Sequence, residues 1–170
     1  FVPIFRGVDR YLVAKDAEIA YLAENFGIPA DKILKFPNVG VDTGLVKPCS
    51  EKSPEPSLLY VGRMPMKSRN LREKSPWLLL EVMAELVKAL PEASLHLVGD
   101  GPGLQALKEA SEAKGIGRNL VFHGYLDNSL VPPLYSRSWA TFIPLQLDAI
   151  DPFWDGSLKE SLACSTPVIG

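Results

Sequence analysis

The 170-residue chain lacks the residues that mark several large classes of protein. It has only two cysteines, Cys49 and Cys164, far apart and without metal-ligand spacing. That argues against a disulfide scaffold or a zinc module, and two reduced thiols of a cytosolic protein are expected. Its two histidines, His96 and His123, each stand alone in an apolar run. His96 is expected as packing on a strand face, and no metal site is expected. Basic residues are not in excess: 18 Lys and Arg face 20 Asp and Glu, a net charge of -2. No basic field exists to draw in nucleic acid, so no nucleic-acid partner is expected. No run of about 18 apolar residues occurs, so no transmembrane segment is expected. Residues 1–13 mix Arg6, Asp9 and Arg10 among apolar ones, which is not the pattern of a signal peptide.

What is present is ordinary for a globular protein. The chain is 46% hydrophobic and 22% charged, enough for a sizeable core in one domain, or one domain with a piece of another. It opens without Met and closes on Thr166-Pro-Val-Ile-Gly170, which reads as a strand just finishing. An α/β domain rarely ends on an uncovered buried strand, so an excised, truncated piece is expected.

Apolar spacing predicts a strand over 10–14, a helix over 16–26 stopped by Gly27, and a strand over 33–36. The stretch 47–56 is rich in Pro and Ser and has no hydrophobic period, so it reads as a linker. Beyond it, strands are predicted over 57–61, 94–98, 120–123, 139–143 and 167–169. Helices are predicted over 76–90, 102–114, 130–136 and 157–164. This alternation means βαβ units and a doubly wound, Rossmann-like parallel sheet. Ligands of such sheets sit beyond the carboxyl ends of the strands. The loops to search are therefore 62–74, 99–103, 123–128 and 144–156.

Three of these loops carry chemistry. Gly99-Asp-Gly-Pro-Gly103 enters a helix, as a dinucleotide fingerprint would. That fingerprint needs a third glycine where Leu104 stands, so a plain tight turn competes with an NAD site. Loop 62–74 carries Arg63, Lys67, Arg69, Arg72 and Lys74, which suit a diphosphate, although taken alone they read first as a solvated, flexible loop. Asp151, Phe153, Trp154 and Asp155 lead into the helix of Glu160. A helix start suits a phosphate and Glu160 could accept from two ribose hydroxyls; surface capping is the bland reading.

Taken together and in order, these motifs resemble the retaining glycosyltransferases of the GT-B fold, family 4, group 1. The matches are Val61-Gly62-Arg63, then Glu73-Lys74 before a leucine-rich helix, then Gly99-Asp-Gly-Pro102. Val121-Phe-His-Gly124, Leu134-Tyr135 and Glu160-Ser-Leu-Ala-Cys-Ser-Thr-Pro-Val168 follow. Pro37-Asn-Val-Gly-Val-Asp42 is similar to the close of the family's amino domain. The resemblance implies half of a GT-B pair: the end of an amino-terminal acceptor domain (1–46), a linker (47–56) and an incomplete nucleotide-sugar domain (57–170). It implies a metal-independent, retaining transfer of a sugar from a nucleotide-sugar donor to a glycan, lipid or small molecule, with no cofactor.

By resemblance the catalytic set is Arg63, Lys74, Asp151 and Glu160. The donor-binding set is Gly62, Lys67, Gly99, Asp100, Gly101, Pro102, Gly124, Tyr125, Leu126, Phe153, Trp154 and Asp155. The sequence departs from the family in places. The Arg-to-Lys spacing is longer than usual, so Lys67 competes with Lys74 for the diphosphate. The first acidic position is Pro152, with Asp151 or Asp155 as substitute. Ser165 replaces a glycine. The glycines of 99–101 are expected to let the backbone turn beside the ligand. A cytoplasmic protein is expected, with peripheral contact at the inner membrane face through an acceptor domain. The piece alone is expected not to turn over. An NAD-dependent oxidoreductase or a non-catalytic nucleotide-binding domain on the same fold are the alternatives.

Overall fold

The computed structural model describes residues 7–36, 40–66, 76–144 and 156–170. The chain divides into two compact units, 1–40 and 41–170.

The first unit is a single βαβ turn of β1 (Tyr11–Val13), α1 (Asp16–Phe26) and β2 (Ile33–Lys35), with the strands parallel. Glu18 closes the start of α1: its carboxylate accepts from the N–H groups of Ala14 and Lys15 at 2.9 and 3.1 Å. The helix stops at Gly27, which adopts φ 63°. There the N–H groups of Gly27 and Ile28 reach back to the carbonyls of Ala23 and Leu22. Val13, Ile28 and Ile33 form its small core, flanked by Ile19, Leu22 and Phe26.

The second unit contains β3 (Ser57–Val61), α2 (Pro76–Ala89), β4 (Ser94–Val98), α3 (Leu104–Ala113) and β5 (Leu120–Gly124). It continues with α4 (Pro132–Arg137), β6 (Ala140–Phe142), α5 (Gly156–Ala163) and β7 (Val168–Ile169). Its five strands form one sheet in the order β5-β4-β3-β6-β7, every pair parallel. The chain winds outward from β3 to β5, then returns to build the other half from β6. The reversal lies between β3 and β6, and a crevice opens beyond their carboxyl ends. The doubly wound α/β sheet expected from the sequence is the one observed.

The central strand shows why. In β3 successive side chains point to opposite faces. Tyr60 joins Leu79, Leu80, Met83, Leu95, Leu97 and Leu107 under α2 and α3. Leu59 joins Val98, Val131, Tyr135 and Cys164 under α4 and α5. Both faces are covered, so the strand is apolar without alternation. Each fully buried leucine contributes about 2 kcal/mol.

The boundary between units falls at Gly40, ahead of the stretch expected as a linker. That stretch is a strap laid along α4. The Cys49 N–H donates to Ser136 Oγ at 3.2 Å, and the Ser53 N–H to the Arg137 carbonyl at 2.8 Å. The Trp139 indole returns a bond to the Ser53 carbonyl at 2.7 Å.

Candidate functional site

One side of the crevice is held backbone to backbone. The loop after β3 and the turn after β4 are laced together by three bonds. The N–H of Gly62 donates to the Val98 carbonyl (3.0 Å), that of Met64 to Asp100 (3.0 Å), and that of Gly103 to Met64 (2.8 Å). Glycine is required by this approach. A Cβ at Gly99 would land on the Gly62 carbonyl, one at Gly101 on that of Met64, and one at Gly103 on that of Pro65. Gly99 and Gly101 also sit at φ 128° and 153°. The glycines expected to turn beside a ligand are thus needed to seat the neighbouring loop, and Gly103, absent from the sequence-based set, belongs with them. Asp100 spends one carboxylate oxygen on the N–H of Gly101 at 2.7 Å, pinning the turn; Pro102 is exposed. The Tyr60 hydroxyl donates to the Arg63 carbonyl at 2.8 Å. The Arg63 backbone is thereby fixed at the carboxyl end of β3, while its side chain is exposed. Lys67 and Lys74 lie outside the described residues.

The other side is held by side chains. Glu160 lies in α5, and its Oε2 accepts from the hydroxyl of fully buried Tyr135 at 2.9 Å. The hydroxyl of the next residue, Ser161, donates to the Thr166 carbonyl at 2.9 Å, and its Oγ makes a second hydrogen bond with the Thr141 hydroxyl at 2.7 Å. Thr166 Oγ1 donates to the Tyr135 carbonyl at 2.6 Å and accepts from Lys52 Nζ at 2.9 Å. Lys52 also reaches the Ser138 carbonyl at 2.6 Å, and burial lowers its ammonium below the usual lysine range. Ser161, Thr141 and Thr166 are almost wholly buried, so a buried hydroxyl cluster fixes the rotation of α5 and hence the direction of Glu160. Ser165, where the family's glycine is expected, takes φ 57°.

On the α5 side, at the carboxyl end of β3, lies a cavity of about 880 Å3. Val61, Tyr135, Ser157 and Glu160 line it, together with Leu45 and Val46, just ahead of the strap, and with Asp127 and Val131. Apolar walls with a few converging polar groups are the usual character of a small-molecule site. Among the described lining residues, Glu160 is the sequence candidate present; Arg63, the 99–102 turn and Gly124, Tyr125 and Leu126 are not among them. Gly124 (φ 69°) offers its carbonyl to the N–H of Gly99 at 2.8 Å. Tyr125 is 79% exposed, and Leu126 packs on the core beneath α4. Asp151, Phe153, Trp154 and Asp155 lie outside the described residues.

Sequence reasoning missed Tyr135 and the Asp127 turn as parts of the cavity wall. Leu134-Tyr135 stood out as a family mark, yet nothing in the sequence tied it to Glu160. The Asp127-Asn-Ser129 pattern is a readable turn signal. Ser129 donates its hydroxyl and its N–H to the Asp127 carboxylate, which holds that carboxyl below its usual range.

The histidines correct the expectation that each stands alone. Nδ1 of His96 lies 2.9 Å from Nε2 of His123, with the rings stacked at 5.2 Å. A register shift leaves His123 as the extra residue between the Phe122 and Gly124 pairings of β5 with β4. One ring must donate and the other accept, so the pair suits neutral imidazoles. Burial, then the neighbouring ring, then Arg137 hold His96 below its ordinary value; burial does the same for His123. Both thiols are free; Cys49 is exposed, and Cys164 is buried, which raises its pKa.

Comparison with known proteins places these features. Residues 49–170 match the family model of the glycosyl transferases group 1. A curated relative, 2-deoxystreptamine N-acetyl-D-glucosaminyltransferase of Streptomyces fradiae, is 34% identical over 80 residues, which is 47% of this chain and 18% of the relative. Sucrose-phosphate synthase from Thermosynechococcus elongatus superposes with a TM-score of 0.69 at 25% identity, over 98% of this chain and 41% of the synthase. A pneumococcal O-GlcNAc transferase, solved in complex with UDP and GlcNAc, superposes with a TM-score of 0.63 at 19% identity, over 94% of this chain and 29% of that one. The chain therefore spans well under half the length of each of these relatives.

Proposed function

The chain belongs to the glycosyl transferases group 1, and from that premise we propose that its second unit is the donor half of an enzyme moving a sugar from a nucleotide-sugar to a glycan or lipid. The observation that carries this reading is Glu160. Its carboxylate lines an 880 Å3 cavity at the sheet's switch point, where it can accept from the paired hydroxyls of a ribose. Family membership gives no support to the oxidoreductase alternative.

The chemistry follows from charge. Departure of a nucleoside diphosphate leaves an oxocarbenium-like sugar and a growing negative charge on the leaving oxygens. Arg63, on its anchored backbone, and Lys67 or Lys74 supply positive charge to those oxygens as the bond breaks, which lowers the barrier. This can substitute for a divalent ion, so the transfer is proposed to be metal-independent; retention of anomeric configuration is proposed from the family resemblance. A UDP-sugar is the expected donor, on the strength of the UDP held by the pneumococcal relative. Asp151 or Asp155 is proposed to meet the transferred sugar. No helix among the described residues is long and apolar enough to cross a membrane.

Ligand-observed saturation-transfer NMR with UDP, GDP, ADP and NAD tests the reading. Transfer to UDP is expected, with Glu160→Ala weakening it about tenfold or more, the value of one or two charged hydrogen bonds. Signal from NAD alone, or indifference of nucleotide binding to Glu160→Ala, would overturn it.

A further inference from the structure

We infer that Tyr135 is a positioning residue for the donor ribose: it holds one oxygen of Glu160 so that the other is presented to the cavity. This rests on the donor-site reading above. A glutamate on a helix surface has several free torsions, and an ionised carboxylate has two equivalent oxygens, each an acceptor. Left alone, Glu160 would sample many directions. The Tyr135 phenol removes that freedom by donating to Oε2 at 2.9 Å.

The phenol is itself immobile. Tyr135 is fully buried and packed among Leu59, Val98, Val131 and Cys164. Its N–H donates to the Val131 carbonyl at 3.2 Å, and its own carbonyl accepts from Thr166 Oγ1 at 2.6 Å. Thr166 is held in turn by Lys52 at 2.9 Å. An unbroken set of contacts therefore runs from the strap, through the buried threonine and the tyrosine, to the carboxylate. Both Tyr135 and Glu160 line the cavity, so the fixed bond lies at its wall. With Oε2 engaged, Oε1 is the oxygen left to accept from a vicinal diol. Preorganisation of this kind favours a ligand that offers hydroxyls over one that lacks them.

The test measures preference, which a purely structural tyrosine would not alter. Affinities of UDP, GDP and ADP are compared with those of their 2′,3′-dideoxy counterparts by calorimetry, in wild type, Glu160→Ala and Tyr135→Phe. Wild type should favour the ribose form of one nucleotide about thirtyfold, and Glu160→Ala should abolish that preference. Tyr135→Phe should cut it to about threefold or less, with dideoxy binding unchanged within a factor of two. If Tyr135→Phe keeps the full preference while Glu160→Ala loses it, the positioning role is wrong and the donor-site reading stands. If wild type shows no preference, or binds none of the six nucleotides, the ribose grip fails and this inference with it. Should Tyr135→Phe not fold, 3,5-difluorotyrosine at position 135 keeps the shape and alters the donor. A preference changed by threefold or more then supports the role, and an unchanged one overturns it.

Discussion

The two sides of the crevice are built by opposite means. After β4 the wall is backbone on backbone, and side chains are what it cannot accept. Around α5 the wall is side chain on side chain, and hydroxyls are what it cannot lose. The first is rigid because three glycines let two loops share hydrogen bonds at close range. The second is rigid because the buried hydroxyls of Ser161, Thr141 and Thr166 are bonded to one another's groups, to the Tyr135 carbonyl and to Lys52. A site can thus be fixed by omission on one side and by polar pairing on the other, with different sensitivities to mutation.

The largest expected effect tests the glycine side. Gly99→Ala places a Cβ on the Gly62 carbonyl at a φ that alanine resists, and should cost about 3 kcal/mol or more. Urea titration measures it; a loss below about 1 kcal/mol would show that the loop and turn can separate freely. A smaller loss is expected on the hydroxyl side. Thr166→Val keeps the shape but deprives Lys52 and the Tyr135 carbonyl of a partner, at about 1–2 kcal/mol. If the two variants were equally costly, the contrast between the walls would not hold.

The smallest effect lies away from both walls, at the histidine pair. Its folded pKa values lie below the ordinary 6.5, so the unfolded chain takes up protons first as pH falls. Stability is full above that value. It should decline as pH drops from 6.5 through the lowered folded values, and level off below them. Thermal melts between pH 7.5 and 5 should show that decline, and His123→Gln should flatten it. An unchanged slope in the variant would assign the decline to other groups.

The sequence carried the elements well, because each is a local pattern. The helix expected over 16–26 is Asp16–Phe26, and the strands at 57–61 and 94–98 are Ser57–Val61 and Ser94–Val98. Helix ends slipped where prolines and glycines precede the first turn: 102–114 became Leu104–Ala113. Glu160 was legible as a candidate because it sits in a recognisable stretch. Its partner was not, since Tyr135 and Glu160 are 25 residues apart and meet only once α4 and α5 lie side by side. The histidine pair was hidden for a related reason. His96 and His123 meet only through the adjacency of β4 and β5, and no periodicity encodes which strands are neighbours. The glycine turn was visible, but its cause was not, because the carbonyls that exclude a Cβ belong to a different loop.

The strap has a consequence for the order in which the molecule assembles. Its Ser53–Trp139 and Lys52–Thr166 bonds join residues 86 and 114 positions apart. Such contacts are among the most distant in sequence that the unit makes, and their closure entropy is met only when everything between them is in place. Leu45 and Val46, which lead into the strap, line the cavity. The cavity is therefore complete only in the finished fold. Any ligand that filled it would bind the finished fold and no earlier form, and by mass action would draw the whole population of chains toward completion.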